Sequence, residues 1–180
     1  MLQPLVPYVY KSLNLSESSI RLCKLCRGKN NDPIHCELYI ESMENAARRY
    51  SALSYTWGTC TAEEQKLIFV NGKSAKIQPN LWAALNGLRV PHRDQVLWID
   101  ALCINQKNTA ERNHQVSIMG LIYREADCVS VWLGPAIKWS DQAFRSISKG
   151  NYPVPGSNLL PLGPDHALRE LLNHEYWSRA

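Results

Sequence analysis

The run Val96-Leu97-Trp98-Ile99-Asp100-Ala101-Leu102-Cys103-Ile104-Asn105-Gln106 constrains the fold more than any other part of the chain. Its first four residues are β-formers with no polar face, the pattern of a strand covered on both sides, and such strands belong to the parallel sheets of α/β proteins. Asp100 then stands where the carboxyl end of that strand meets solvent. Open α/β sheets gather their ligands at this edge.

The neighbouring segments extend the same architecture. Residues 50–57 (Tyr-Ser-Ala-Leu-Ser-Tyr-Thr-Trp) read as a strand closed by Gly58, and residues 128–133 as another closed by Gly134-Pro135. Between them, Pro79-Asn80 opens a helix whose Leu81, Ala84, Leu85 and Leu88 recur at i, i+3, i+4 and i+7, and the pattern stops before Pro91. Asn108 and Glu111 form a capping pair that opens a second helix to about residue 126, with Val116, Met119, Tyr123 and Ala126 as its inner stripe. Strand, helix, strand, helix, strand predicts a parallel α/β sheet with right-handed crossovers. An inserted β-hairpin is predicted at 67–70 and 73–77, because Asn71-Gly72 suits the two φ > 0 positions of a type I′ turn.

Outside this core, residues 20–25 and 36–40 are β-like pieces around the breaker run Gly28-Lys29-Asn30-Asn31-Asp32-Pro33, which predicts a peripheral N-terminal β-hairpin. Ser140 opens a helix carrying Ala143, Phe144 and Ile147, ending at Gly150. Pro153, Pro155, Pro161 and Pro164 with Gly156 and Gly163 then make a long irregular loop, and a last helix from Asp165 aligns Leu168, Leu171 and Leu172. The expected organisation is a single domain over 1–180, with the hairpin segment in 1–49, the α/β core in 50–150, and a Pro-rich loop plus helix in 151–180 that stops short of a longer protein.

Composition narrows the function classes. The net charge of +4 is modest and its Lys and Arg are scattered among acids, so no basic stripe points to nucleic acid. No window approaches the roughly 18 apolar residues of a membrane span, and no signal peptide opens the chain, so the expected location is cytoplasmic. Six cysteines in that setting read as reduced thiols. Cys23-x-x-Cys26 followed by His35-Cys36 formally supplies four zinc ligands, but Cys23 and Cys26 sit among Leu22 and Leu25, where thiols serve as small apolar fillers. No metal is expected.

Walker, G-x-G-x-x-G, G-x-S-x-G and H-E-x-x-H motifs are all missing, which disfavours the common phosphate, dinucleotide, hydrolase and zinc-protease classes. A Cys103–His114 nucleophile pair is possible by composition, but Cys103 follows a strand rather than a cationic niche that lowers thiol pKa. What remains is a polar constellation from three segments: Ser54, Tyr55, Thr56 and Trp57; Asp100 with Asn105 and Gln106; and Arg112 with Gln115. Each carries two readings. Tyr55 and Trp57 either plug the core or present rings to a ligand. Asn105 and Gln106 either satisfy backbone groups in a tight loop or meet a ligand. Arg112 either greets an anion at the helix start or pairs with Asp100 or Glu111.

Ala52-Leu53-Ser54-Tyr55-Thr56-Trp57-Gly58, Leu97-Trp98-Ile99-Asp100-Ala101-Leu102-Cys103-Ile104-Asn105-Gln106 and Val131-Trp132-Leu133-Gly134 resemble the three signature blocks of the fungal heterokaryon incompatibility (HET) domain. Asn71-Gly72, Asn80-Leu81, Ala84-Leu85, Glu111-Arg112, Gln115-Val116, Met119, Ile122-Tyr123 and Ala126 also fall in that family's order, so the resemblance covers roughly residues 8–179. Cys23 and Cys26 stand where the family usually has apolar residues. The resemblance implies an effector of non-self recognition in filamentous fungi, triggering programmed cell death when an attached or partner sensor of NLR type is engaged. It also implies a remote likeness to the Toll/interleukin-1 receptor (TIR) domain, a flavodoxin-like parallel sheet.

Many TIR domains cleave the nicotinamide–ribose bond of NAD with a helix-borne glutamate, and many self-associate. By that analogy NAD is a substrate rather than a resident cofactor, and Ser54, Tyr55, Thr56, Trp57, Asp100, Asn105 and Arg112 form the nucleotide-binding set. Members of the family continue after a Tyr-Trp-x-Arg segment, like Tyr176-Trp177-Ser178-Arg179, into a Trp-x-x-Gln-Glu stretch that lies beyond this sequence. The catalytic candidates within it are therefore Asp100, Glu170 and Glu175. The alternative is a self-associating signalling module without chemistry of its own.

Overall fold

Short local patterns build most of the elements. In the computed structural model, which describes residues 5–30, 32–135, 140–148 and 176, strands β1 (Ser19–Leu25) and β2 (His35–Ser42) lead into a one-turn helix α1 (Met43–Ala46). Strand β3 (Ser51–Tyr55) follows, then β4 (Lys66–Val70) and β5 (Lys73–Ile77). Helix α2 (Pro79–Leu88) precedes β6 (Gln95–Trp98), after which come the short α3 (Asp100–Cys103), α4 (Thr109–Ser117), α5 (Met119–Arg124) and β7 (Cys128–Trp132). The chain divides into two compact units, Met1–Trp132 and Leu133–Ala180, and the described element of the second is α6 (Ser140–Ser148). The expected Pro-rich loop, the helix from Asp165, and Glu170 and Glu175 lie outside the described residues. Among those described, no helix is long and apolar enough to cross a membrane.

The first unit is an α/β fold, a seven-stranded sheet in the order β5-β4-β2-β1-β6-β3-β7, flanked by helices. Strands β6, β3 and β7 pair in parallel, as the alternating pattern predicts, and β2 also runs parallel to β4. The pairs β1–β2, β1–β6 and β4–β5 are antiparallel, so the sheet is mixed. The inserted hairpin forms with Asn71 at φ 50° and Gly72 at φ 73°, both in the left-handed region that a type I′ turn requires. Asn71 also bonds outward, accepting from the Leu38 N–H at 2.8 Å and donating to the Leu38 carbonyl at 3.0 Å, which anchors the turn to β2. Helix α2 buries Leu81, Ala84 and Leu85 as its spacing demands. Trp98, Leu53, Ile68, Leu85 and Leu97 form the heart of the core, each burial being worth about 1.5–3 kcal/mol.

Two expectations need correction. The N-terminal hairpin forms, but it is not peripheral: β1 is the fourth of seven strands and pairs with β6 on its far side. Its single charged inward residue disguised it. Arg21 is 1% exposed and its charge is met by Glu111 at 2.8 Å, so a strand that alternates like a half-exposed one is buried on both faces. The helix expected over 108–126 is capped by Asn108, whose side chain accepts from the Glu111 N–H at 3.1 Å, but it breaks at Ile118 into α4 and α5. Its buried face is Glu111, Gln115 and Ile122, while Val116 is 54% exposed. Polar partners turn this face inward: Glu111 binds Arg21, and Gln115 Nε2 donates to the Ser19 carbonyl at 3.0 Å.

Arg21 and Glu111 therefore carry a sharp expectation. Arg21→Met leaves a buried carboxylate without its cation and is expected to cost about 3–5 kcal/mol in urea or guanidinium unfolding. The double change Arg21→Met with Glu111→Leu removes both charges and is expected to cost less than the sum of the two single changes. Additive losses would mean that the pair is not coupled.

Candidate functional site

Parallel pairing of β3 with β6 brings their carboxyl ends to one edge, and this aligns two segments 43 positions apart. Trp57 Nε1 donates to Asp100 Oδ2 at 2.9 Å, so the first and second signature blocks meet in a side-chain hydrogen bond. Asp100 opens α3, where its Oδ1 accepts the Ala101 N–H at 2.7 Å and its carbonyl accepts Gln106 Nε2 at 3.0 Å. Its carboxylate suits the positive end of a helix, and these bonds fix how the edge is shaped. The third block joins through α2. Asn80 Nδ2 donates to the Thr56 carbonyl, and Asn80 Oδ1 accepts Trp132 Nε1 at 3.1 Å. One asparagine thus spans the ends of β3 and β7.

Beside this edge lies a cleft of about 640 Å³. One wall comes from the loop after α3 (Asn105, Gln106, Lys107) with Ala101, and another from the end of β5 and the start of α2 (Lys76, Ile77, Gln78, Leu81). Trp57 and Gln65 face it as well, and the N-terminal residues Tyr8, Val9 and Tyr10 close it. Its lining therefore combines aromatic rings, amides and two lysines with the aliphatic Val9, Ile77, Leu81 and Ala101.

The sequence-derived residues separate here. Trp57, 38% exposed, and Asn105 line the cleft. Tyr55 is buried in the core, Ser54 and Thr56 are half-buried, and Thr56 contributes its carbonyl to Asn80. Gln106 joins the cleft wall while also tying back to Asp100. Arg112 is exposed on α4 and is not part of the cleft lining. Its neighbour Glu111 takes Arg21 instead, and its Oε1 also accepts the Asn105 N–H at 2.7 Å. Tyr8, Tyr10, Lys76, Gln78 and Lys107 are not among the residues the sequence points to for this site, and Asn80 stands there as a helix start and as part of the family's order, not as a site residue. A lone arginine in an apolar strand was the one available hint, since such a charge requires a partner.

Cys103 is fully buried, and burial pushes its thiol up to about 12 although Arg21 and the Ile99 N–H favour the thiolate. His114 Nδ1 lies 3.2 Å from Gln115 Nε2. A Cys103 nucleophile is thus not set up at neutral pH. Among the described residues no group of three His, Cys, Asp or Glu is poised to hold a metal.

Two expectations follow from this geometry. Asn80→Ala strands the Thr56 carbonyl and the Trp132 indole N–H, and is expected to cost about 1–3 kcal/mol, read by denaturant unfolding followed through tryptophan fluorescence. For Cys103, the raised folded pKa keeps the thiol protonated above its ordinary 9.0, so its contribution to stability is complete below pH 9 and is lost as pH rises toward about 12. At pH 8, iodoacetamide followed by mass spectrometry is expected to label the exposed Cys128 and spare Cys103 in the folded chain.

Comparison with known proteins accords with this arrangement of blocks. A family model described as heterokaryon incompatibility protein (HET) matches residues 50–180. The chain is 34% identical over 156 residues, 79% of its length, to heterokaryon incompatibility protein 6, OR allele, of Neurospora crassa. It spans 23% of that relative's length. No solved structure matches. With the family model covering most of the chain, Trp57 bonded to Asp100, and Asn80 bridging Trp132 to the Thr56 carbonyl at the same sheet edge, the chain belongs to the heterokaryon incompatibility (HET) family.

Proposed function

We propose that this domain is the effector portion of a fungal non-self recognition system, which triggers programmed cell death in the cytoplasm when a sensor of NLR type is engaged. Its chemistry in this proposal is hydrolysis of the nicotinamide–ribose bond of NAD, with water adding to the ribose carbon while nicotinamide leaves with the bonding electrons. The observation that carries it is the Trp57–Asp100 hydrogen bond, at 2.9 Å, beside a cleft of about 640 Å³ at the carboxyl edge of parallel strands. In that cleft Trp57 offers a ring for stacking and Asn105 an amide, while Asp100 sets the pose of Trp57.

A second reading is favoured by one observation. The Asp100 carboxylate already accepts from Trp57 Nε1 and the Ala101 N–H, a holding role that suits a self-associating module with no chemistry of its own. The two readings separate in the tube and in the cell. Purified protein incubated with NAD is expected to release nicotinamide and ADP-ribose in equal amounts, with Trp57→Ala slowing release roughly tenfold through lost stacking. No release, together with undiminished killing on expression in a filamentous fungus, would establish the module instead.

A further inference from the structure

The N-terminal segment precedes the residues that the family model matches, yet it forms part of the cleft. It is fixed there by an isolated parallel bridge, with Pro7 opposite Ser74 of β5: Ser74 N donates to the Val6 carbonyl at 2.8 Å, and Tyr8 N donates to the Ser74 carbonyl at 2.9 Å. This pairing sets Tyr8 on the cleft, with its ring edge-on to Tyr10 at 5.0 Å between centroids. Tyr10 is held in turn, its hydroxyl donating to the Leu102 carbonyl at 3.1 Å and the Arg21 guanidinium lying 4.8 Å over its ring.

Arg21 also joins this wall to the opposite one. Its Nη2 donates to the Lys11 carbonyl at 2.6 Å, and its Nη1 binds Glu111, whose Oε1 accepts the Asn105 N–H at 2.7 Å. The walls are therefore built before any ligand arrives, a condition that favours binding because little ordering remains to be done. The charged residues in the described lining are lysines, Lys76 from β5 and Lys107 from the loop after α3. Neither has an ion-pair partner among the described residues. Gln78 Oε1, at the start of α2, is buried without a hydrogen-bond donor from the described residues.

We infer that the cleft is a composite site for a phosphorylated heteroaromatic ligand, with Tyr8 and Trp57 as its ring surfaces, Lys76 and Lys107 as its phosphate contacts, and the Gln78 and Asn105 amides reading the ring edge. Each part follows from ordinary recognition chemistry: flat π-surfaces stack, amides bond base edges, and free ammonium groups prefer phosphate to a neutral sugar. The inference rests on the cleft reading above and deepens it, by naming the side chains that take the ring and the phosphate and by adding a wall from outside the family-matched residues.

Isothermal titration of the purified chain with AMP and with adenosine tests it. AMP is expected to bind roughly tenfold more tightly than adenosine, the effect of one charge-assisted contact. The pair Lys76→Gln with Lys107→Gln is expected to erase that difference, and Tyr8→Leu to weaken AMP about fivefold, with thermal unfolding checked for every variant. Equal binding of the two compounds, or no binding of either at millimolar concentration, overturns the inference without recourse to any variant. NAD turnover is scored separately. Charge-dependent AMP binding without nicotinamide release leaves the site standing and removes the NAD proposal. Nicotinamide release that is unaltered in the folded Tyr8 and lysine variants leaves that proposal and removes this site.

Discussion

The buried pair between Arg21 and Glu111 sits where the central strand, the first long helix after β6 and the loop of Asn105 meet, and the surrounding structure is arranged to satisfy both charges. Two ions taken out of water cost several kcal/mol each, so they are tolerated only where their mutual attraction is backed by further hydrogen bonds; of the guanidinium nitrogens only Arg21 Nε is buried without an acceptor among the described residues. Here the guanidinium reaches the Cys103 carbonyl at 2.5 Å and the Lys11 carbonyl at 2.6 Å besides its carboxylate, and the carboxylate reaches the Asn105 N–H. Those demands fix β1 against α4 and hold the loop of Asn105. They also set the N-terminal segment, through Tyr10, on the other side of the cleft.

The strand-end network works by the same logic on a smaller scale. Trp57, Asp100, Asn80 and Trp132 come from four elements or their ends; side-chain bonds join Trp57 to Asp100 and Trp132 to Asn80, and the Asn80 bond to the Thr56 carbonyl ties the second pair to the end of β3. Gly87 completes the arrangement. A Cβ there would lie 2.8 Å from the Trp132 ring, so the absence of a side chain gives that indole its place against α2. Much of what makes the signature blocks recognisable is therefore the chemistry of holding three parallel strand ends together, and the cleft is shaped by that hold. Asp100 illustrates the point: an acidic residue at a strand end invites a catalytic reading, yet its described bonds go to an indole, a backbone N–H and, through its carbonyl, a loop amide.

Local chemistry made a large part of this legible. The Asn71-Gly72 turn, the Asn108 cap, the apolar spacing of α2 and the strand of Val96 through Trp98 each depend on neighbours within a few positions, and each stands as read. The meeting of Trp57 with Asp100 was also accessible, because parallel strands in an α/β sheet deliver their carboxyl ends to one edge. The cleft was not. Its Tyr8, Lys76 and Lys107 come from three separate segments with no shared motif, and only the bridge between Pro7 and Ser74 and the folded loop after α3 bring them together.

Contiguous residues were enough to specify the longer strands and helices, the inserted hairpin, the parallel trio around β3 and the family, since periodicity, turn residues and signature blocks are local properties, whereas the one-turn helices α1 and α3 carry no such signal. Tertiary structure alone decided that β1 lies at the centre of the sheet, that α4 turns Glu111 and Gln115 inward rather than Val116, and that the N-terminus walls a cleft. The physical reason is the sequence distance of the deciding contact. Arg21 and Glu111 are 90 positions apart, and until they meet, each is an ordinary surface charge on an ordinary amphipathic segment.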